Sequence, residues 1–81
     1  MKIDAKITFS KEVAEKLDRD YVRVPVDMDY VEDSTNSVYT WVVNELEEMF
    51  GRPFMNDDFE ITNMHELIEE LKFNEFENKT N

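Results

Sequence analysis

The sequence predicts a small α+β domain, with a single layer of three-stranded sheet covered by two or three helices in the order β-α-β-α-β-α. Three observations lead there. Apolar and polar residues alternate with period two at 2–9 and 21–26, an apolar stripe at helical spacing occupies the middle, and a second such stripe closes the chain. With 81 residues, 41% of them apolar, there is enough to build one core and no room for a second. The domain is expected to cover residues 1–73, followed by a flexible acidic tail at 74–81.

The first strand, residues 2–9, sets Ile3, Ala5, Ile7 and Phe9 on one side and Lys2, Asp4, Lys6 and Thr8 on the other. Ser10 then offers a hydroxyl to the free amides of a short helix over 11–17. After the charged turn Asp18-Arg19-Asp20, Val22, Val24 and Val26 mark a second strand, and Pro25 either makes it an edge or ends it there, because proline cannot donate to a ladder. A polar stretch at 27–36 leads to the main helix, whose stripe is Val38, Val42, Leu46 and Met49 and whose stop is Gly51 followed by Pro53. Its opening residues, 38–43, also have strand propensity, so a strand competes there. A third strand is expected at 59–62. Asn63 and Glu66 then read as a capping box for a last helix with Met64, Leu67, Ile68 and Leu71 on its apolar side. The connection at 10–20 is barely long enough for a parallel crossover, so strand direction stays open.

Charge is divided unevenly. Residues 1–23 hold six cations against five anions, whereas residues 24–81 hold fifteen carboxylates and only Arg52, Lys72 and Lys79, which gives the net charge of −11. That balance excludes direct nucleic-acid binding, since affinity for phosphates comes largely from lysine and arginine. Absence of cysteine removes thiol catalysis, disulfides and cysteine-based metal sites, and fits a reducing cytoplasm. Neither a signal-peptide core nor an apolar run of about 18 residues is present, so no membrane partner is expected. Catalysis lacks its equipment: there is one histidine, one glycine, no nucleophile elbow and no phosphate loop. The chain therefore reads as a non-enzyme without a cofactor. Asp27, Asp29, Glu32 and Asp33 are the only cluster that suggests a cation. An EF-hand loop counted from Asp27 puts Glu32 where glycine must turn the chain and Val38 at the bidentate position, and no metal is assigned.

The carboxylates are the remaining signal. Glu45, Glu47 and Glu48 sit at the negative end of the main helix macrodipole, where anions cost about 0.3–1 kcal/mol each. Glu66 and Glu70 form a like-charge pair four residues apart, with Glu69 beside them, and Asp57 and Asp58 precede the third strand. Local rules broken without compensation mark places to look for function. The expected partner-binding set is thus Asp27, Asp29, Glu32, Asp33, Glu45, Glu47, Glu48, Asp57, Asp58, Glu66, Glu69 and Glu70, with Tyr30, Tyr39, Trp41 and Phe54 as aromatic anchors.

In size, acidity and lack of catalytic equipment the chain resembles the small DNA-mimicking inhibitors that phages and mobile elements direct at restriction, CRISPR and repair enzymes. The resemblance is one of general character over the whole chain and carries no residue across. It implies an inhibitor of a nucleic-acid-binding protein in a bacterial or phage cytoplasm, the partner being a basic protein surface. The competing expectation is a regulatory or assembly module that binds through an apolar tail of Leu71, Phe73 and Phe76, the acidity serving solubility alone.

Overall fold

The computed structural model describes the backbone of residues 1–80 and the side chains of residues 1–72. Its elements follow the expected order: β1 (Lys2–Phe9), α1 (Lys11–Leu17), β2 (Tyr21–Asp27), α2 (Thr35–Phe50), a single 3-10 turn (Asn56–Asp58), β3 (Phe59–Ile61) and α3 (Met64–Thr80). The flexible tail expected at 74–81 lies outside the residues whose side chains are described. The sheet is antiparallel throughout, in the order β2-β1-β3.

Strand direction is settled by the end of α1. Ser10 caps that helix by accepting from the Val13 amide, and Asp18 ends it in the left-handed region at φ 54°. The chain reverses there, so β2 returns alongside β1 in place of crossing over. Pro25 sits on the outer edge as its chemistry requires. Lys6 directs both its amide and its carbonyl toward β3, so by alternation the odd residues of β2 point their backbone groups away from β1, and the missing amide hydrogen of Pro25 costs no ladder bond. Its carbonyl is taken by the Trp41 indole N–H at 3.0 Å.

One face of the sheet carries the core. Ala5, Ile7 and Phe9 from β1, Val24 and Val26 from β2, and Phe59 and Ile61 from β3 are all buried beneath the helices. Val38, Val42 and Leu46 of α2 are fully enclosed, which is why the helical stripe prevails over local strand propensity: on a helix their spacing of four sets all three over the sheet within about 12 Å, whereas a strand would bring Thr40 and Asn44 onto the same face between them. The helix begins earlier than the valine stripe suggests. Ser34 accepts from the Ser37 amide and Gly51 closes the helix at φ 64°, so α2 gains a turn from the polar stretch.

The other face of the sheet is open. Lys2, Lys6 and Arg23 stand there with Asp4, Asp27 and Glu60, three cations against three anions, so the net charge of −11 belongs to the helices, loops and chain ends. Lys6 and Arg23 lie directly opposite in a non-hydrogen-bonded pair, the arrangement that brings cross-strand side chains closest. Arg23→Thr is expected to raise stability by about 0.2–1 kcal/mol. The gain is checked in thermal melts and should shrink as salt screens the repulsion.

Asn63 corrects the capping-box expectation. Its carbonyl receives the Glu66 and Leu67 amides, while its buried side chain turns to β1, accepting from the Lys6 amide at 2.8 Å and donating to the Asp4 carbonyl at 2.9 Å. The amide thus continues the ladder of β1 beyond the three residues of β3. Leu71 is likewise part of the core, at 4% exposure, and so does not belong to an accessible apolar tail. Phe73 and Phe76 lie outside the described side chains.

Candidate functional site

Helix geometry divides the carboxylates that adjacency in sequence had grouped. At about 100° per residue, Trp41, Glu45 and Glu48 fall within about 60° of one another on one flank of α2, and Glu47 lies about 100° or more away. Glu47 is put to local use. Its Oε2 accepts from the Phe54 amide at 3.1 Å and ties the segment after Gly51 back to the helix. Glu47→Ala should therefore cost about 1–2 kcal/mol in chemical denaturation, whereas Glu48→Ala, at an exposed position next to the negative helix end, should leave stability unchanged or slightly raised.

Three other carboxylates are also engaged. Asp58 Oδ2 accepts from the Met55 amide at 2.9 Å and shapes the 3-10 turn. Asp27 Oδ1 accepts from the Asp29 amide at 3.1 Å, an Asx turn at the end of β2. Asp29 itself pairs with the N-terminal ammonium at 3.0 Å. The remaining eight, Glu32, Asp33, Glu45, Glu48, Asp57, Glu66, Glu69 and Glu70, make no ion pair or side-chain hydrogen bond among the described residues.

The described arginines nearest α2 do not compensate them. Arg19 places its guanidinium over the Phe50 ring at 5.7 Å, and Arg52 lies over Phe54 at 4.9 Å with its Nη1 buried and unpartnered. The only other ion pair among the described residues, Lys16 with Glu12, lies within α1. Of the described cations, Arg19 and Arg52 lie on aromatic faces, Lys11 and Lys16 on α1, and Lys2, Lys6 and Arg23 on the open side of the sheet, while Lys72 is exposed on α3 and makes no ion pair among the described residues.

Glu32 joins the α2 flank through its backbone. Its amide donates to Ser37 Oγ at 3.0 Å, which seats the acidic loop against the first turn of the helix. Glu32, Trp41, Glu45 and Glu48 thus follow one side of α2, with Ser37 to Glu48 spanning about 16 Å of helix axis. On α3, Glu66 and Glu69 are exposed, about 100° or more around the helix from the buried Leu67 and Leu71, while Glu70 is half-buried, about 60° from Leu67. Asp57 is exposed beside the 3-10 turn. No family model, curated protein or solved structure matches the chain. The candidate site therefore stands on its own geometry.

Of the expected aromatic anchors, Tyr30 is 79% exposed and Trp41 half-buried on the acidic flank. Phe54 is a core residue, and Tyr39 packs its ring on Phe59 at 5.5 Å. Among the described residues no group of three or more histidines, aspartates or glutamates comes together in a way that could hold a metal ion. None of the described helices is long and apolar enough to cross a membrane. The alignment of Trp41, Glu45 and Glu48 was available from their spacing of four and three residues. The addition of Glu32 was not, because it depends on how the loop folds onto Ser37.

Proposed function

We propose that this chain is a non-enzymatic interaction protein that presents carboxylates in place of phosphates and so blocks a basic nucleic-acid-binding surface of another protein. The observation that carries the reading is the set of eight carboxylates that have no ion pair or side-chain hydrogen bond among the described residues and lie outside the open face of the sheet, while the arginines are directed elsewhere. Glu45 and Glu48 are one helical turn apart, and side chains so placed stand about 5–6 Å from one another. A nucleic-acid strand repeats its charge on a similar scale, about 3.4 Å of axial rise per phosphate. A channel lined with lysine and arginine would accept such a row and be closed by it. Association would be steered by charge and weakened by salt.

Phage or mobile-element origin, an anti-defence role and a cytoplasmic setting belong to this proposal through the resemblance in general character. The test is capture from a bacterial lysate on immobilised chain, with elution by rising salt. The reading expects a nucleic-acid-binding protein to be released, and expects the chain to displace duplex or single-stranded nucleic acid from it. A captured partner that binds in high salt and keeps its nucleic acid in the presence of the chain would refute it.

A further inference from the structure

The acidic flank of α2 differs along its length. Where the loop after β2 meets the first turns of the helix, Tyr30, Glu32, Ser37, Trp41 and Asn44 wall a groove of about 360 Å³, and no lysine or arginine lines it. The Tyr30 ring stands out from the surface at 79% exposure. The Trp41 ring is fixed, since its indole N–H is committed to the Pro25 carbonyl and its body packs against the core, so what it offers to the groove is an aromatic face without a donor. The loop is held as well. The Tyr30 amide donates to the Asp27 carbonyl at 3.0 Å and the Glu32 amide to Ser37 Oγ at 3.0 Å.

Two aromatic rings, one carboxylate and neutral oxygen acceptors are what a guanidinium requires. Its planar, weakly hydrated cation stacks on ring faces, and its fork of N–H donors suits a carboxylate with neighbouring oxygens. An ammonium is compact and strongly hydrated, and gains less from the same walls. We infer that this groove receives an arginine side chain of the basic partner, stacked on Trp41 and Tyr30 and paired with Glu32. The row of Glu45 and Glu48 then meets the partner's neighbouring cations. This assignment rests on the acidic side being a binding surface, and it is tested on the chain alone so that the two can fail separately.

Trp41 is the single tryptophan of the chain, and its emission therefore reports on the groove. Hexa-arginine and hexa-lysine peptides, equal in charge, are titrated at low salt with fluorescence and calorimetry in parallel. Hexa-arginine is expected to change Trp41 emission saturably and to bind about threefold or more tighter than hexa-lysine. Tyr30→Ala and Glu32→Gln should each remove that preference, and Glu15→Gln, at an exposed position of α1 outside the acidic set, should preserve it. Equal affinity for the two peptides, calorimetric binding without a change in emission, or loss of preference in Glu15→Gln would overturn the assignment. Equal peptide affinities alongside displacement of nucleic acid from a captured target would remove the groove and leave the mimicry. An arginine preference without such a target would do the reverse.

Discussion

Asn63→Ala is expected to lower the unfolding free energy by about 2–4 kcal/mol, seen as a shift of the urea midpoint at unchanged slope. The side chain is 5% exposed and satisfies two backbone groups of the central strand at once, the Lys6 amide and the Asp4 carbonyl. Removing it leaves both without a protein partner, and each enclosed, unpaired polar group costs about 1–3 kcal/mol. Were Asn63 only a helix cap, alanine would cost about 1 kcal/mol and serine would replace it almost fully. Serine keeps a capping oxygen but cannot span from Asp4 to Lys6, so Asn63→Ser should be nearly as damaging as alanine. Full rescue by serine would show that the bridge to β1 contributes little.

The second large effect concerns binding. The double substitution Glu45→Gln and Glu48→Gln is expected to weaken capture of the target about 30- to 300-fold at low salt, on the basis of about 1–1.7 kcal/mol for each interfacial charge. Glutamine preserves shape, so the loss isolates the charge. Stability should hold or rise by a few tenths of a kcal/mol, because two anions leave the negative end of the α2 dipole and a like-charge pair is relieved. Affinity is measured across a salt series beside thermal melts of both proteins. The variant should show a shallower salt dependence than the parent, and an unchanged affinity would remove this flank from the interface. Glu47→Gln serves as the control, since an amide oxygen can still accept from the Phe54 amide.

Both effects bear on what could be read before the fold was known. Period-two alternation marked β1 and β2, Ser10 and Gly51 marked helix ends, Pro25 marked an edge or a strand end, and Val38, Val42 and Leu46 of the stripe marked the buried side of α2, whereas the fourth member, Met49, is 47% exposed. Each of these is a local signal, set by side-chain spacing or by a residue's own backbone preference. Asn63 was misread for the same reason. Its neighbours resemble a capping box, but its side chain bonds to residues 57 and 59 positions away, and nothing in a short window reports that.

The acidic set follows the same division. Glu45, Glu47 and Glu48 look alike as neighbours in sequence, but they part once wound onto a helix, and only the return of Phe54 makes Glu47 structural. Asp27 and Asp58 read as free charges and prove to be turn-formers. Glu32 joins the α2 flank through a loop contact with Ser37.

By itself the sequence determined the fold class and the order of strands and helices, the buried faces of the strands and most of that of α2, and the excess of negative charge after residue 23, because these depend on spacing and composition. Only the tertiary structure decided that β1 lies at the centre of an antiparallel sheet, that the cations of β1 and β2 share its open face, and which carboxylates are put to use in turns and ties. Those are matters of which distant groups meet. Pairing between them is chosen by the competition of all possible partners for each hydrogen bond and charge, and that competition is resolved only when the whole chain closes on one core.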